Sequence, residues 1–180
     1  MTPAQIRIVR VSFARIEPVL PQLGERFYER LFTIAPDLRP LFPPDLSVQE
    51  GKFMTVIGEL VNLHLHSLLS LPAVGGKAAL PALTKLGRNH ASIGVQAGHF
   101  NHVRAALTDV LRQGLGEHFT FEVEGAWMAA FDVLANAMLD GMAQVSAERD
   151  RFLNRLGEEQ EEAPQAPAVT EAPAFQRFFQ

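Results

Sequence analysis

Residues 79–95 read ALPALTKLGRNHASIGV, and the reading of this stretch decides the fold. Leu80, Leu83 and Leu86 recur at three-residue spacing and lie along one side of a helix. That helix is expected over roughly Ala79–His90. His90 ends it, and Ile93–Gly98 is a break before the next helix. Taken alone, a histidine in such company reads as a satisfied structural residue before it reads as a ligand.

The same logic extends outward from both ends. Thr2-Pro3 is a helix start, with Thr as the cap and Pro in the first turn. Ile6, Val9, Phe13 and Ile16 then recur at helical spacing. A second helix is expected over about Pro21–Ile34, with Phe27, Tyr28, Leu31 and Phe32. Pro36, Pro40, Pro43 and Pro44 permit only a short turn and a loop. A third helix is expected from Asp45 or Ser47 to about Ser70, with Gln49, Phe53, Val56 and Leu60 on one face. Beyond His90, helices are expected over about Gly98–Gln113 and from about Thr120 to Val145 or further. No segment alternates apolar and polar residues between turn signals. The expected class is therefore all-α.

The chain has 180 residues and a formal charge of −4. After residue 156 there are five glutamates against one arginine, so the whole net charge sits in the last stretch. Residues 1–156 are balanced, which argues against a nucleic-acid partner. From Gly157 the composition turns to Glu, Ala, Pro and Gln, too little apolar surface to offset ordering entropy. The expected organisation is a domain over 1–156 and an unstructured acidic tail over 157–180. Phe175, Phe178 and Phe179 form an apolar knot on that tail, either a docking peptide or without a partner. Cysteine is absent, which excludes a disulfide framework and thiolate chemistry and fits a reducing, cytoplasmic setting. No secretory leader is recognisable. Ala126–Val145 is mostly apolar, but Asp132, Asn136 and Asp140 form one polar stripe, so it reads as an amphipathic helix and no membrane span is expected.

Six histidines are the candidate ligands. His64, His66, His99 and His102 read as surface or helix-end residues, and His118 as solvated. No Glu-x-x-His pair of a di-iron bundle, no His-Glu-x-x-His zinc helix and no phosphate-cradling Gly-rich loop occurs.

The stretch Leu86-Gly-Arg-Asn-His90-Ala-Ser-Ile-Gly-Val95 resembles the proximal-histidine segment of bacterial single-domain globins and of the globin domain of flavohaemoglobins. Other segments are similar to the same family in the same order: Thr2-Pro-Ala-Gln-Ile with Ser12-Phe-Ala-Arg, and Phe27-Tyr28-Glu-Arg-Leu-Phe32. Ala35-Pro-Asp-Leu-Arg-Pro-Leu-Phe42, Gln49-Glu-Gly-Lys-Phe-Met54, and Gly125-Ala-Trp127 with Val133-Leu-Ala-Asn136 complete the series. The resemblance covers roughly residues 2–145. It implies a globin fold, the three-on-three helical sandwich, and a haem b (iron protoporphyrin IX) cofactor.

It also implies roles at the matched positions. His90 would be the fifth iron ligand, with its other ring nitrogen held by a carbonyl or side chain. Phe42 would lie on the haem face. Tyr28 and Gln49 match the distal pair, whose donors stabilise a bound ligand of partial negative charge. Phe53 follows Gln49 by one turn and would overhang the iron, narrowing the distal space. Lys52 is left between a haem propionate and solvent. In flavohaemoglobins a tyrosine and a glutamate buttress the proximal histidine; the matched residues here are Phe100 and Gln144, which lack that carboxylate push. This leans toward reversible binding of dioxygen, with nitric oxide and carbon monoxide as further ligands, in oxygen carriage or delivery. The alternatives are a nitric oxide dioxygenase served by a separate reductase, since residues after 157 are too few for one, and a haem-based gas sensor. Either a monomer or a homodimer is compatible with these features.

Overall fold

The computed structural model describes residues 1–59, 61 and 76–161. Among these there is no strand, and no helix is long and apolar enough to cross a membrane. The all-α expectation holds. Six helices are described: α1 Pro3–Ile16, α2 Leu20–Ile34, α3 Ser47–Glu59, α4 Gly76–Ser92, α5 His99–Leu115 and α6 Phe121–Glu161.

Helix α1 begins where its caps dictate. The Gln5 amide donates to Thr2 Oγ1 at 3.2 Å, and the Thr2 amide donates to Gln5 Oε1 at 2.8 Å, a reciprocal capping box. Ile6, Val9, Phe13 and Ile16 are all buried, as their spacing predicts. Ser12 is buried between them. Its hydroxyl donates to the Ile8 carbonyl at 2.8 Å and accepts from the Trp127 indole at 2.9 Å. The largest buried side chain thereby has its one polar atom satisfied.

Pro18 and Pro36 each sit in a 3₁₀ turn, Glu17–Val19 and Pro36–Leu41, that bends the chain around α2. The Arg39 guanidinium then braces the proline loop, donating to the carbonyls of Phe42, Pro43 and Pro44 at 3.2, 2.8 and 2.8 Å. This fixes the backbone on either side of Phe42. Helix α2 packs on α3 and α5, and Arg30–Asp109 at 2.7 Å pairs α2 with α5.

Helix α4 is longer at both ends than the expected Ala79–His90. Beyond it, Gly94 adopts φ +91°, a conformation that favours glycine, and turns the chain into α5. Helix α4 meets α6 at two glycines. A Cβ at Gly87 would strike the Met138 backbone carbonyl, and one at Gly141 would strike the Thr84 carbonyl. The two backbones therefore touch where either glycine stands.

The chain divides into two compact units after Val145. The first, Met1–Val145, holds the core and the site. Of the second, Ser146–Glu161 is described and is helical. Helix α6 thus continues beyond Val145, as the expectation allowed, and on through Gly157 to Glu161, into the stretch expected as tail. The remainder of that tail, with its phenylalanine knot, lies outside the described residues. So do residues 62–75, with His64, His66 and the expected end of the third helix.

Candidate functional site

One cavity in the first unit gathers side chains from α2 to α6 and from the turn at Phe42. All six residues singled out from the sequence line it: Tyr28, Phe42, Gln49, Lys52, Phe53 and His90. The proline turn delivers Phe42, α2 delivers Tyr28, and α3 delivers Gln49, Lys52 and Phe53 at the three- and four-residue spacing of one helical face.

Four aromatic rings form one wall. Phe53 stacks on Phe27 with centroids 4.2 Å apart and planes 17° apart. Tyr28 meets Phe27 edge-on at 5.1 Å and Phe42 at 5.5 Å. The Tyr28 side chain is locked by these contacts, and its residue is buried.

Burial drives the Tyr28 phenol upward, a hydrogen bond with the Gln49 side chain pulls it down, and the Glu50 charge adds to the rise; it moves from 10.0 to about 12. The hydroxyl therefore keeps its proton at any ordinary pH. The folded chain holds this proton where the unfolded chain releases it, so the folded state is favoured below pH 10. That advantage is lost as pH rises through about 12 and amounts to roughly 2–3 kcal/mol. Tyr28 is the one tyrosine of the chain, so the near-ultraviolet phenolate band reports it alone. In the folded protein that band is expected near pH 12, after the urea-unfolded chain has already ionised near pH 10. Coincident titrations would mean that Tyr28 is solvated.

Among the described residues two histidines line the cavity, and their hydrogen bonds put the ring hydrogen on opposite nitrogens. His90 Nδ1 lies 2.8 Å from the Leu86 carbonyl oxygen. A carbonyl only accepts, so Nδ1 carries the hydrogen, which leaves Nε2 as the nitrogen whose lone pair can bind a metal. His99 Nδ1 accepts from the Gln96 backbone N–H at 3.2 Å. Its hydrogen is therefore on Nε2, which makes it a donor. Of the pair, His90 has a lone pair available as a metal ligand. The helical i−4 bond to Leu86 also orients its ring.

His99 is a helix-end residue, as expected: it starts α5. It also lines the cavity with Phe100 and Val103. The turn at Gly94 brings it there, and spacing within its own helix carries no sign of that. His118 is exposed as expected, with Nε2 3.1 Å from Arg15 Nη1. Phe100 lines the cavity, whereas Gln144 is exposed on α6 and does not. Met142, two residues earlier, is buried on the side of α6 that carries Met138 into the lining. Gln144 is thus on the wrong face to support His90. Among the described residues, no three His, Asp or Glu side chains gather as a metal cage.

Comparison with known proteins names this architecture. The globin family model matches residues 25–138, and the chain belongs to the globin family. It is 28% identical over 147 residues to leghemoglobin-1 of Lupinus luteus, covering 75% of this chain and 91% of that one. It is 27% identical over 154 residues to a flavohemoprotein of Vibrio cholerae, covering 85% of this chain and 37% of the relative. The fold superposes on an engineered carbene transferase from Rhodothermus marinus with a TM-score of 0.68 at 24% identity, over 83% of this chain and 99% of that one.

Proposed function

We propose that this chain holds haem b in the cavity, with His90 as the iron ligand, and binds dioxygen reversibly for carriage, storage or delivery. The observation that carries the reading is the His90 geometry: an Nε2 lone pair on a cavity wall, in a ring anchored through Nδ1 to Leu86 O. The rest of the lining fits the same group. Phe42 and Phe53 supply flat apolar contact, and Lys52 and the His99 Nε2–H supply polar partners for carboxylates at its edge.

Haem, when bound, supplies an iron at which a diatomic gas is taken up and released. The protein residues set how firmly. The Tyr28 hydroxyl, held protonated in an aromatic wall, is a standing donor, and Gln49 beside it is a second. In a water-poor pocket such donors stabilise partial negative charge more than they would in water. On the other side, His90 leans on a neutral carbonyl, and Phe100 lines the wall without a polar group. No carboxylate reaches the ring through these contacts. This favours reversible binding over chemistry that needs an electron-rich imidazole.

Tyr28→Phe is the direct test. Loss of a hydrogen bond to a charged ligand costs about 1.5–3 kcal/mol, so dioxygen is expected to leave about 10–100-fold faster. An unchanged off-rate would mean that the hydroxyl plays no part. Sustained, rapid consumption of nitric oxide with an added reductase would favour the dioxygenase alternative over carriage.

A further inference from the structure

We propose, building on the haem reading above, that Arg39 is a positioning residue for the cofactor: it holds the loop after Phe42 and so sets how fast haem leaves. Pro43 and Pro44 have no N–H to give, so the loop cannot be tied down by its own amides there. Its carbonyls converge on one side chain instead. Arg39 Nη1 donates to Phe42 O and Pro43 O, and Nη2 donates to Pro44 O. Among the described residues no other hydrogen bond reaches these three carbonyls. The Ser47 amide donates to Asp45 Oδ1 at 2.9 Å, but that bond spans two residues and anchors the loop to nothing else.

The guanidinium is itself fixed to the aromatic wall. Its carbon lies 5.3 Å from the centroid of the Phe32 ring, and Phe32 meets Phe42 edge-on with centroids 5.3 Å apart. One planar cation thus grips the loop backbone with its edge and the wall with its face, which a point-like ammonium does not do. Arg39 does not line the cavity, so it acts through what it holds. The loop joins Phe42 to α3, and α3 carries Gln49, Lys52 and Phe53 into the lining. Lys52 and Val56 line the cavity yet are exposed, so the cavity opens along α3. A macrocycle leaving on that side must wait for the loop and α3 to move.

Transfer of haem from the loaded, full-length chain to an excess of apomyoglobin, followed by Soret absorbance, tests this. Arg39→Gln is expected to take up haem with an imidazole-ligated spectrum, since His90 is untouched, and to lose it about tenfold faster or more. Arg39→Lys keeps the charge without the fork and is expected to lose haem nearly as fast. Arg30→Gln breaks the Arg30–Asp109 pair away from the cavity lining and is expected to leave the loss rate unchanged. Hydrogen exchange on the cofactor-free chains separates positioning from general stability. In Arg39→Gln the Phe42, Ser47 and Glu50 amides, bonded in and beside this loop, are expected to exchange faster while α1 keeps its protection. Equal loss rates in Arg39→Gln and the parent overturn the proposal. So does an Arg39→Lys chain that holds haem like the parent, an Arg30→Gln chain that loses it as fast as Arg39→Gln, or exchange that quickens equally in α1. A parent chain that takes up no haem refutes the haem reading itself, and this proposal with it.

Discussion

Alanine at Gly87 is expected to destabilise the folded chain by about 3 kcal/mol, at the upper end of what overpacking costs. In most helices the same change stabilises, by about 0.5–1 kcal/mol, because alanine loses less backbone freedom on folding. The sign reverses here because of what the new methyl group meets. It runs into the Met138 carbonyl of α6, a backbone atom that no rotamer change can move. The contact is reciprocal: Gly141 meets the Thr84 carbonyl, and Thr84 precedes Gly87 as Met138 precedes Gly141, by three residues. Helix α4 must lift or slide to admit a side chain. Since His90 is one turn further along α4, its ring moves with the helix. Urea denaturation of Gly87→Ala, Gly141→Ala and, as a control, Gly51→Ala checks this. A Cβ at Gly51 meets nothing within 4 Å, so that change is expected to be neutral or mildly stabilising. A Gly87→Ala protein as stable as the Gly51→Ala control would show that α4 and α6 do not touch as described.

His90→Ala is expected to have the largest effect on the proposed cofactor. His90 is half-buried, and the hydrogen bond of its ring runs within its own helix. Its loss therefore leaves the helices intact while removing the Nε2 lone pair. Haem retention is expected to fall by more than the roughly 10–100-fold typical of deleting a ligand's supporting partner. Added imidazole is expected to restore part of the absorbance. His99→Ala is the informative contrast. It removes a donor and leaves the ligand, so the axial spectrum is expected to persist. The opposite pattern, with His99→Ala abolishing the spectrum and His90→Ala sparing it, would mean that the two tautomers have been assigned to the wrong roles.

Much of this was legible from local chemistry. Thr2, Pro3 and Gln5 specify a helix start by themselves. The spacing of Ile6, Val9, Phe13 and Ile16 specifies its buried face, and the proline run around Phe42 excludes anything but turns. Gln49 and Phe53 were readable as neighbours from helical spacing, whereas Tyr28 was joined to them only by the resemblance to the globin family. What escaped the sequence depends on contacts across the fold. His99 enters the cavity because a glycine with positive φ turns the chain between α4 and α5. The Gly87–Gly141 contact joins distant parts of the chain, and neither glycine differs locally from any other in a helix. Gln144 failed for a geometric reason: two residues along a helix is about 200° of rotation, enough to exchange the buried face for the exposed one. The end of α6 was left open because the apolar pattern weakens after Val145, while no Pro or Gly interrupts the helix between there and Gly157.

The central claim, that His90 ligates haem iron in this cavity, is tested most directly by titrating the purified chain with haem and following the Soret absorbance. A saturable rise ending at one haem per chain, with the spectrum of an imidazole-ligated iron, is the expected result. Absorbance that grows without saturation, or a spectrum identical to free haem in buffer, would contradict it.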